Sequence, residues 1–216
     1  MKKQITVEQA VEKIKDGMTI MIGGFLSNGS ANAILKQLSE KNIKNLTIIC
    51  NDTSFPDKGV GVLFEPKMVK KVITSYVGAN PLSQEQMNDG SLEVEFVPQG
   101  TLAERVRCGG CGLGGFLSPT GKGTLVSENK QIINVDGTNF LLEKPLRADI
   151  ALLGASVCDE SGNLWYEGTS RNFNPVMAMA ADLVIAEVDK IVPTGEILPE
   201  NVHTPAILVD FLVKAE

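Results

Sequence analysis

Hydrophobic positions along this 216-residue chain switch between two periods. Val7, Ala10, Val11 and Ile14 recur at helical spacing behind Thr6 and Gln9, a T-x-x-Q capping box, until Asp16-Gly17 stops the pattern; a first helix is predicted. MTIMI (18–22) is apolar on consecutive residues and ends at Gly23-Gly24. Ser30 is placed to cap a second helix that buries Ile34, Leu35 and Leu38, so strand, glycine loop and helix follow one another. LTIIC (46–50), KVITSYV (71–77), LEVEFV (92–97), ADIALLGA (148–155) and ADLVIAEV (181–188) supply further strands. Uninterrupted apolar runs of this kind suit strands covered on both faces, which predicts an α/β fold with an open, mainly parallel sheet and helices on both sides. Between 124 and 142, Ser-Glu-Asn-Lys and Asp-Gly turns join short β-prone runs, a local excursion into hairpins. Without an internal repeat or a Pro/Ser-rich linker, residues 1–216 read as one domain.

Composition narrows the partners. With 20 basic against 26 acidic residues, a net charge of −6 and no charge runs, the chain lacks the electrostatic footprint of a nucleic-acid or acidic-membrane binder. No segment holds the about eighteen uninterrupted apolar residues of a membrane span, and the N-terminus lacks a signal peptide's apolar stretch. A cytoplasmic protein is expected. Cys50, Cys108, Cys111 and Cys158 are too few and too unevenly spaced for a secreted disulfide framework, so reduced thiols are expected.

The loop 23–30, GGFLSNGS, leaves a strand and precedes a helix, where backbone N–H groups and the helix dipole can receive an anion; the alternative is a tight turn that needs glycine for positive φ. Its spacing approaches a Walker loop but lacks the lysine that holds the phosphates, which argues against NTP hydrolysis. The segment RCGGCGLGGFLSPTG (107–121) carries both a C-x-x-C and a G-x-G-x-x-G match. It follows a predicted helix, TLAERVR, whose capping box is Thr101 and Glu104; a dinucleotide fingerprint should instead leave a strand and open a helix. Zinc would need two more ligands than Cys108 and Cys111, and the one histidine, His203, is isolated; no metal site is expected and both cysteines read as small packing residues.

DGMTIMIGGFLSNG (16–29) resembles the amino-terminal signature of the family I (3-oxoacid) CoA-transferases. NDTSFPDKGVG, VPQGTLAERVRCGGCGLGGFLSPTG, PLRADIALLGA, DESGNLWYEGT and RNFNPVMAMAAD agree with that family in order, and the match covers nearly the whole chain. It is similar to the family's α (A) subunits, most of all to the bacterial acetate- or butyrate–acetoacetate branch. Ala31 departs from the signature's usual proline. The resemblance implies a CoA-transferase fold, a β-subunit partner in an α2β2 assembly, and ping-pong exchange of CoA between acyl-CoA and a short-chain carboxylate through a glutamyl-CoA thioester. CoA thioesters are then substrates and no cofactor is needed. Ser127-Glu128-Asn129 imitates the nucleophile's motif, but that motif belongs to the β subunit and Lys130 replaces its glycine, so Glu128 is expected to be a solvated turn residue. The resemblance assigns CoA contact to Gly23, Gly24, Phe25, Leu26, Ser27, Asn28 and Gly29. It assigns the acyl oxygen to Gln99, with Asn51 a weaker candidate for the same pocket, and it makes the glycines of 109–115 a wall of the acyl site or of the subunit interface. A noncatalytic acyl-CoA-binding regulator and a sugar-phosphate isomerase are the alternatives from other classes.

Overall fold

The computed structural model describes residues 3–215. Its strands are β1 (Lys3–Gln4), β2 (Thr19–Ile22), β3 (Leu46–Ile49), β4 (Val69–Thr74), β5 (Glu93–Phe96), β6 (Phe116–Ser118), β7 (Ile132–Val135), β8 (Thr138–Glu143), β9 (Ala148–Asp159), β10 (Leu164–Trp165), β11 (Ala181–Val192) and β12 (Phe211–Lys214). Its helices are α1 (Val7–Val11), α2 (Asn32–Ser39), α3 (Pro81–Asn88), α4 (Gln99–Gly110) and α5 (Asn174–Ala178). The main sheet runs β1-β12-β11-β9-β2-β3-β4-β5 with every neighbouring pair parallel, and β10 folds back antiparallel on β9.

Side chains of period two explain why both faces are covered. Ile20 and Ile22 of β2, Ile48 of β3 and Leu152 of β9 pack on one side with Val11 of α1 and with Ile34 and Leu38 of α2. Met21, Ile49, Ala151 and Leu153, one position along the same strands, pack on the other with Leu102 and Val106 of α4 and Met177 of α5. Each fully buried Ile, Leu or Met contributes about 1.5–3 kcal/mol, so the two layers together hold the sheet. The α/β class with helices on both faces is therefore as expected. None of the described helices is long and apolar enough to cross a membrane.

Local signals fared unevenly. The capping box at α1 forms, with Thr6 Oγ1 accepting from the Gln9 N–H at 3.2 Å and Gln9 Oε1 from the Thr6 N–H at 3.1 Å. At α4 it does not: the helix starts at Gln99, three residues earlier than the Thr101–Glu104 box requires, and Glu104 pairs with Arg107 instead. Pro98 ends the extended segment, and its carbonyl accepts from the Leu102 N–H at 2.8 Å to close the first turn. Within the excursion only one hairpin forms: β7 and β8 meet across Asp136-Gly137, both at positive φ as a two-residue turn demands. The run before Ser-Glu-Asn-Lys is a short 3₁₀ turn, Leu125–Ser127, rather than a strand, and β6 completes a three-stranded sheet in the order β6-β8-β7.

β9 and β11 carry the chain beyond the rim of the sheet. They have 12 residues each where β2 has 4, and at about 3.3 Å per residue their upper halves stand above the ends of β2 and β3 as a wall. β2 lies between β3 and β9, so the chain leaves it in opposite directions on its two sides. Crevices at such switch points, outside the carboxyl ends of the strands, are where open α/β sheets bind ligands.

Candidate active site

The loop 23–30 fills this crevice. The Gly23 N–H donates to Leu152 O at 3.0 Å, continuing β2's pairing with β9, and the chain then reverses between Phe25 and Asn28, whose backbones exchange hydrogen bonds of 3.0 and 2.9 Å. The two residues at the tip, Leu26 (φ 45°) and Ser27 (φ 75°), hold the left-handed conformation that two-residue turns normally reserve for Asn and Gly. Glycine thus flanks the turn and does not make it: Gly24 and Gly29 also have positive φ, but the tip itself is strained. Side chains from the far end of the sequence strap the loop down. Asn172 Oδ1 accepts from the Gly24 N–H at 3.0 Å, Asn174 Nδ2 donates to Gly29 O at 2.9 Å, and Asn28 Nδ2 donates to Thr169 Oγ1 at 2.6 Å. Gly154 of β9 lies so close that a Cβ there would stand 2.6 Å from Gly29 O.

The second wall is the loop after β3. Asn51, Asp52, Thr53 and Ser54 are all buried although none is apolar. Ser75 Oγ and Thr74 Oγ1 both donate to Asn51 O, at 2.6 and 3.0 Å, so β4 fixes the backbone from which the Asn51 side chain projects. Gln99, the first residue of α4, reaches across with Nε2 donating to Asn51 Oδ1 at 2.6 Å. The two residues named for the acyl oxygen are therefore neighbours, brought together across 48 positions of sequence. Asp52 adjoins them: it accepts from Asn51 Nδ2 at 2.7 Å and from the Leu26 N–H at 3.1 Å, which ties the Gln99 pair to the strained tip. Ser54, at φ 54°, buries an Oγ with no hydrogen-bond partner beside this cluster.

The helix that follows the first loop already holds an anion. Ser30 does not cap α2, as its sequence position suggests; its Oγ donates to Gly23 O at 2.9 Å, and Ala31 stands at the N-cap without a side-chain bond. The Glu187 carboxylate, from β11, accepts from the Ala33 and Ile34 N–H groups at 3.0 and 2.9 Å instead. Burial pushes the Glu187 carboxyl above its ordinary range, while the backbone donors of α2 pull it back. Beside it lies a cleft of about 530 Å³ whose lining includes Asn28, Ser30, Ser156, Thr169, Glu187 and Asp189. Its charge is acidic, and the anion seat that the sequence offers at this helix is taken by the chain's own carboxylate.

Other candidates fall elsewhere. Glu128 is exposed, and Lys130, where the nucleophile motif has glycine, reaches the buried Glu143 at 2.6 Å; that residue serves the packing of the excursion. Cys108 and Cys111 lie at the C-terminal end of α4, one buried and one exposed, and burial raises the Cys108 thiol. At about 1.5 Å per residue, the helix puts roughly 15 Å between Gln99 and Gly109, so Gly109 does not wall the Gln99 pocket within this chain. A Cβ at Gly109 would lie 1.8 Å from Leu146 O, which gives this glycine a packing role. His203 Nδ1 accepts from the Tyr166 N–H at 3.1 Å, a structural use. Asp52, Asn172, Asn174 and Glu187 received no role from sequence. The signals were an Asn-Asp pair closing a strand and two asparagines in RNFN (171–174).

Comparison with known proteins places this geometry among relatives. Residues 4–215 match the family described as Coenzyme A transferase. The acetoacetyl-CoA:acetate/butyrate CoA transferase alpha subunit of Clostridium acetobutylicum is 50% identical, over 98% of this chain and 97% of its own length. The acetate CoA-transferase subunit alpha of Escherichia coli K12 is 47% identical over 99% and 97%. Among solved structures, an acyl-CoA transferase from E. coli O157:H7, in a thioester complex with CoA, superposes with a TM-score of 0.89 at 22% identity. It covers 99% of this chain, which spans 47% of that longer one.

Proposed function

This chain belongs to the coenzyme A transferase family, and from that premise we propose that it is the α subunit of a heteromeric enzyme moving CoA between acetoacetyl-CoA, or another short-chain acyl-CoA, and a carboxylate such as acetate or butyrate. The observation that carries this reading is identity of 47% and 50%, over nearly the whole chain, to two alpha subunits of such transferases. A β subunit completes the enzyme, in an α2β2 assembly, and brings the nucleophilic glutamate.

In the reaction, the partner's glutamate attacks the thioester carbonyl and the tetrahedral oxyanion collapses with loss of CoA thiolate, leaving a mixed anhydride. The thiolate attacks the glutamyl carbonyl and expels the first carboxylate, and an incoming carboxylate then reverses both steps to leave as the new acyl-CoA. Splitting the exchange this way avoids direct attack of a weak carboxylate nucleophile in a single step. The chemistry needs no metal or resident cofactor.

This chain supplies the surroundings. Gln99 offers a neutral N–H to the oxyanion; such a donor, fixed in place before the reaction, is worth about two to three powers of ten in rate. Asn51 supports it from below, through the 2.6 Å bond to its Oδ1. The loop 23–30 serves CoA, with its strained tip as one lip of the cleft. Because Glu187 already occupies the N-terminus of α2, the part of CoA held there is the uncharged thioester-bearing arm and not a phosphate. The test is intact-mass measurement on the purified complex after incubation with acetoacetyl-CoA. A CoA adduct on the partner and none on this chain is expected; an adduct on this chain would return the nucleophile to it and end the assignment.

A further inference from the structure

Asp52 is the one carboxylate in the Gln99 cluster, 4% exposed, and it appears in none of the ion pairs among the described residues. Every group that reaches it is an N–H. Oδ1 accepts from the Ser54 N–H at 2.8 Å and the Leu26 N–H at 3.3 Å; Oδ2 accepts from Asn51 Nδ2 at 2.7 Å and from the same Leu26 N–H at 3.1 Å. Both oxygens are used as acceptors, which determines how the adjoining carboxamide is turned. Only the nitrogen end of Asn51 can face a carboxylate that accepts. Its oxygen end then faces Gln99, and an oxygen there selects the nitrogen end of Gln99 in turn, at 2.6 Å. A carboxamide is nearly symmetric in shape, so packing alone does not choose between its two orientations. Here one carboxylate chooses for two amides in series.

We propose that Asp52 is a positioning residue that sets the polarity of the Gln99 carboxamide, keeping its N–H edge on the Asn51 side with the second N–H left for the acyl oxygen. The proposal rests on the role given to Gln99 above. Through the Leu26 N–H the same carboxylate holds the left-handed tip of the loop 23–30, so the acyl-side donor and the CoA-side loop share one anchor. In Asp52→Asn, Oδ1 can keep the Ser54 and Leu26 N–H bonds, but an NH₂ group replaces the oxygen that faced Asn51. Two nitrogen donors then oppose each other, Asn51 turns over, and Gln99 follows, carrying its N–H groups to the opposite edge of the amide. The double variant Asn51→Asp with Asp52→Asn reverses the inner pair: Asn at 52 donates to Asp at 51, whose other oxygen again accepts from Gln99 Nε2. The swap restores the original polarity at Gln99 without restoring either original residue.

The experiment measures steady-state transfer from acetoacetyl-CoA to acetate by the purified complex, with thermal unfolding of each variant alongside. Asp52→Asn should lower kcat by about tenfold or more with little change in the KM for acetate, and the swap should return kcat to within about threefold of the parent, given the size of such donor effects. Asn51→Asp alone, with two adjoining carboxylates, should stay impaired. Parental kcat in Asp52→Asn alongside a strongly slowed Gln99→Ala would overturn the positioning role and leave the Gln99 reading standing. Parental kcat in Gln99→Ala would remove the Gln99 reading itself. A folded but equally slow swap also rejects the proposal, since Asp52 would then act by something other than amide polarity. If Asp52→Asn yields no folded complex, recovery of folded, active enzyme in the swap relative to Asn51→Asp supports it, and no recovery overturns it.

Discussion

The chain has two glycine-rich segments of similar appearance, 23–30 and 109–115, and they differ in what surrounds them. The first leaves a central strand at the switch point of the sheet and is held by side chains: Asn172, Asn174 and Asp52 each bond its backbone, and its tip is strained. The second begins where α4 ends and is held chiefly by close packing, with Gly109 against Leu146 O and one side-chain bond, from Arg147 Nη1 to Gly109 O at 3.0 Å. A glycine motif by itself says only that backbone must come near something. Which end of which element it leaves, and how many polar side chains reach for its N–H and C=O groups, separates a strapped loop at the sheet's switch point from a packing joint.

The sharpest way to test that contrast is to change both ends of α4. Gln99→Ala should slow transfer by about a hundredfold at unchanged thermal stability, as expected for loss of one oxyanion donor. Gly109→Ala should do the reverse. Alanine would gain about 1 kcal/mol in helix propensity, but its Cβ would meet a backbone carbonyl at 1.8 Å, so overpacking of about 1–3 kcal/mol wins. A lowered melting temperature with near-parental kcat is expected; a large fall in kcat at unchanged stability would erase the distinction.

A smaller effect is expected at the strained tip. Leu26→Gly removes a left-handed penalty of about 1–2 kcal/mol and adds about 0.5–1 kcal/mol of unfolded-state entropy, for a net gain of no more than about 1.5 kcal/mol. If the strain belongs to ligand binding, affinity for the acyl-CoA should fall while stability rises. Unchanged affinity would make the strain incidental and bring the two segments closer in kind.

The smallest effect is a pH response confined to the first segment. His203 accepts the Tyr166 N–H, just before the residues 167–174 that strap the loop, and burial, followed by the nearby Arg171, lowers its pKa from the ordinary 6.5. The unfolded chain then binds a proton that the folded chain does not, so stability is complete above about pH 6.5 and declines as pH falls toward the lowered folded value. Hydrogen exchange should speed up modestly in the loop 23–30 between about pH 7.5 and 5.5, after correction for intrinsic rates, and not around Gly109. His203→Asn should flatten this response; an identical change in that variant would assign it elsewhere.

The central parallel strands were legible because burial on both faces leaves an apolar run with little ambiguity, as in β3 and β9. β1, β12, α3 and α5 were not: β1 has 2 residues, and α5 has 5 and begins at Asn174, so each depends on tertiary contacts more than on its own pattern. The two misplaced caps fail for a related reason. Ser30 and Thr101 had the right residue type, but Glu187 arrives from β11 to bond the N-terminus of α2, and α4 has already begun behind Pro98 before Thr101 is reached. At the site, the glycine loop was visible from its position after a strand. Gln99 and Asn51 were found through family resemblance, since nothing in sequence announces a bond between residues 48 apart. Asp52 went unremarked because an Asp at a strand end ordinarily reads as a solvated turn, and its burial appears only once three loops converge on it.

The pairing of β1 with β12 also sets an order in time. Lys3 and Gln4 align with Phe211 and Leu212, so β1 cannot be seated until about two hundred further residues have been made. β2 and β3 can pair early, whereas β9, which joins the two halves of the sheet, comes from the final third of the chain. During synthesis the edge of β2 that faces β9 therefore waits uncovered for about 130 residues, roughly six to twenty-six seconds at about 5–20 residues per second. The fold places the crevice that holds the loop 23–30 along the seam where the early and late halves of the sheet meet.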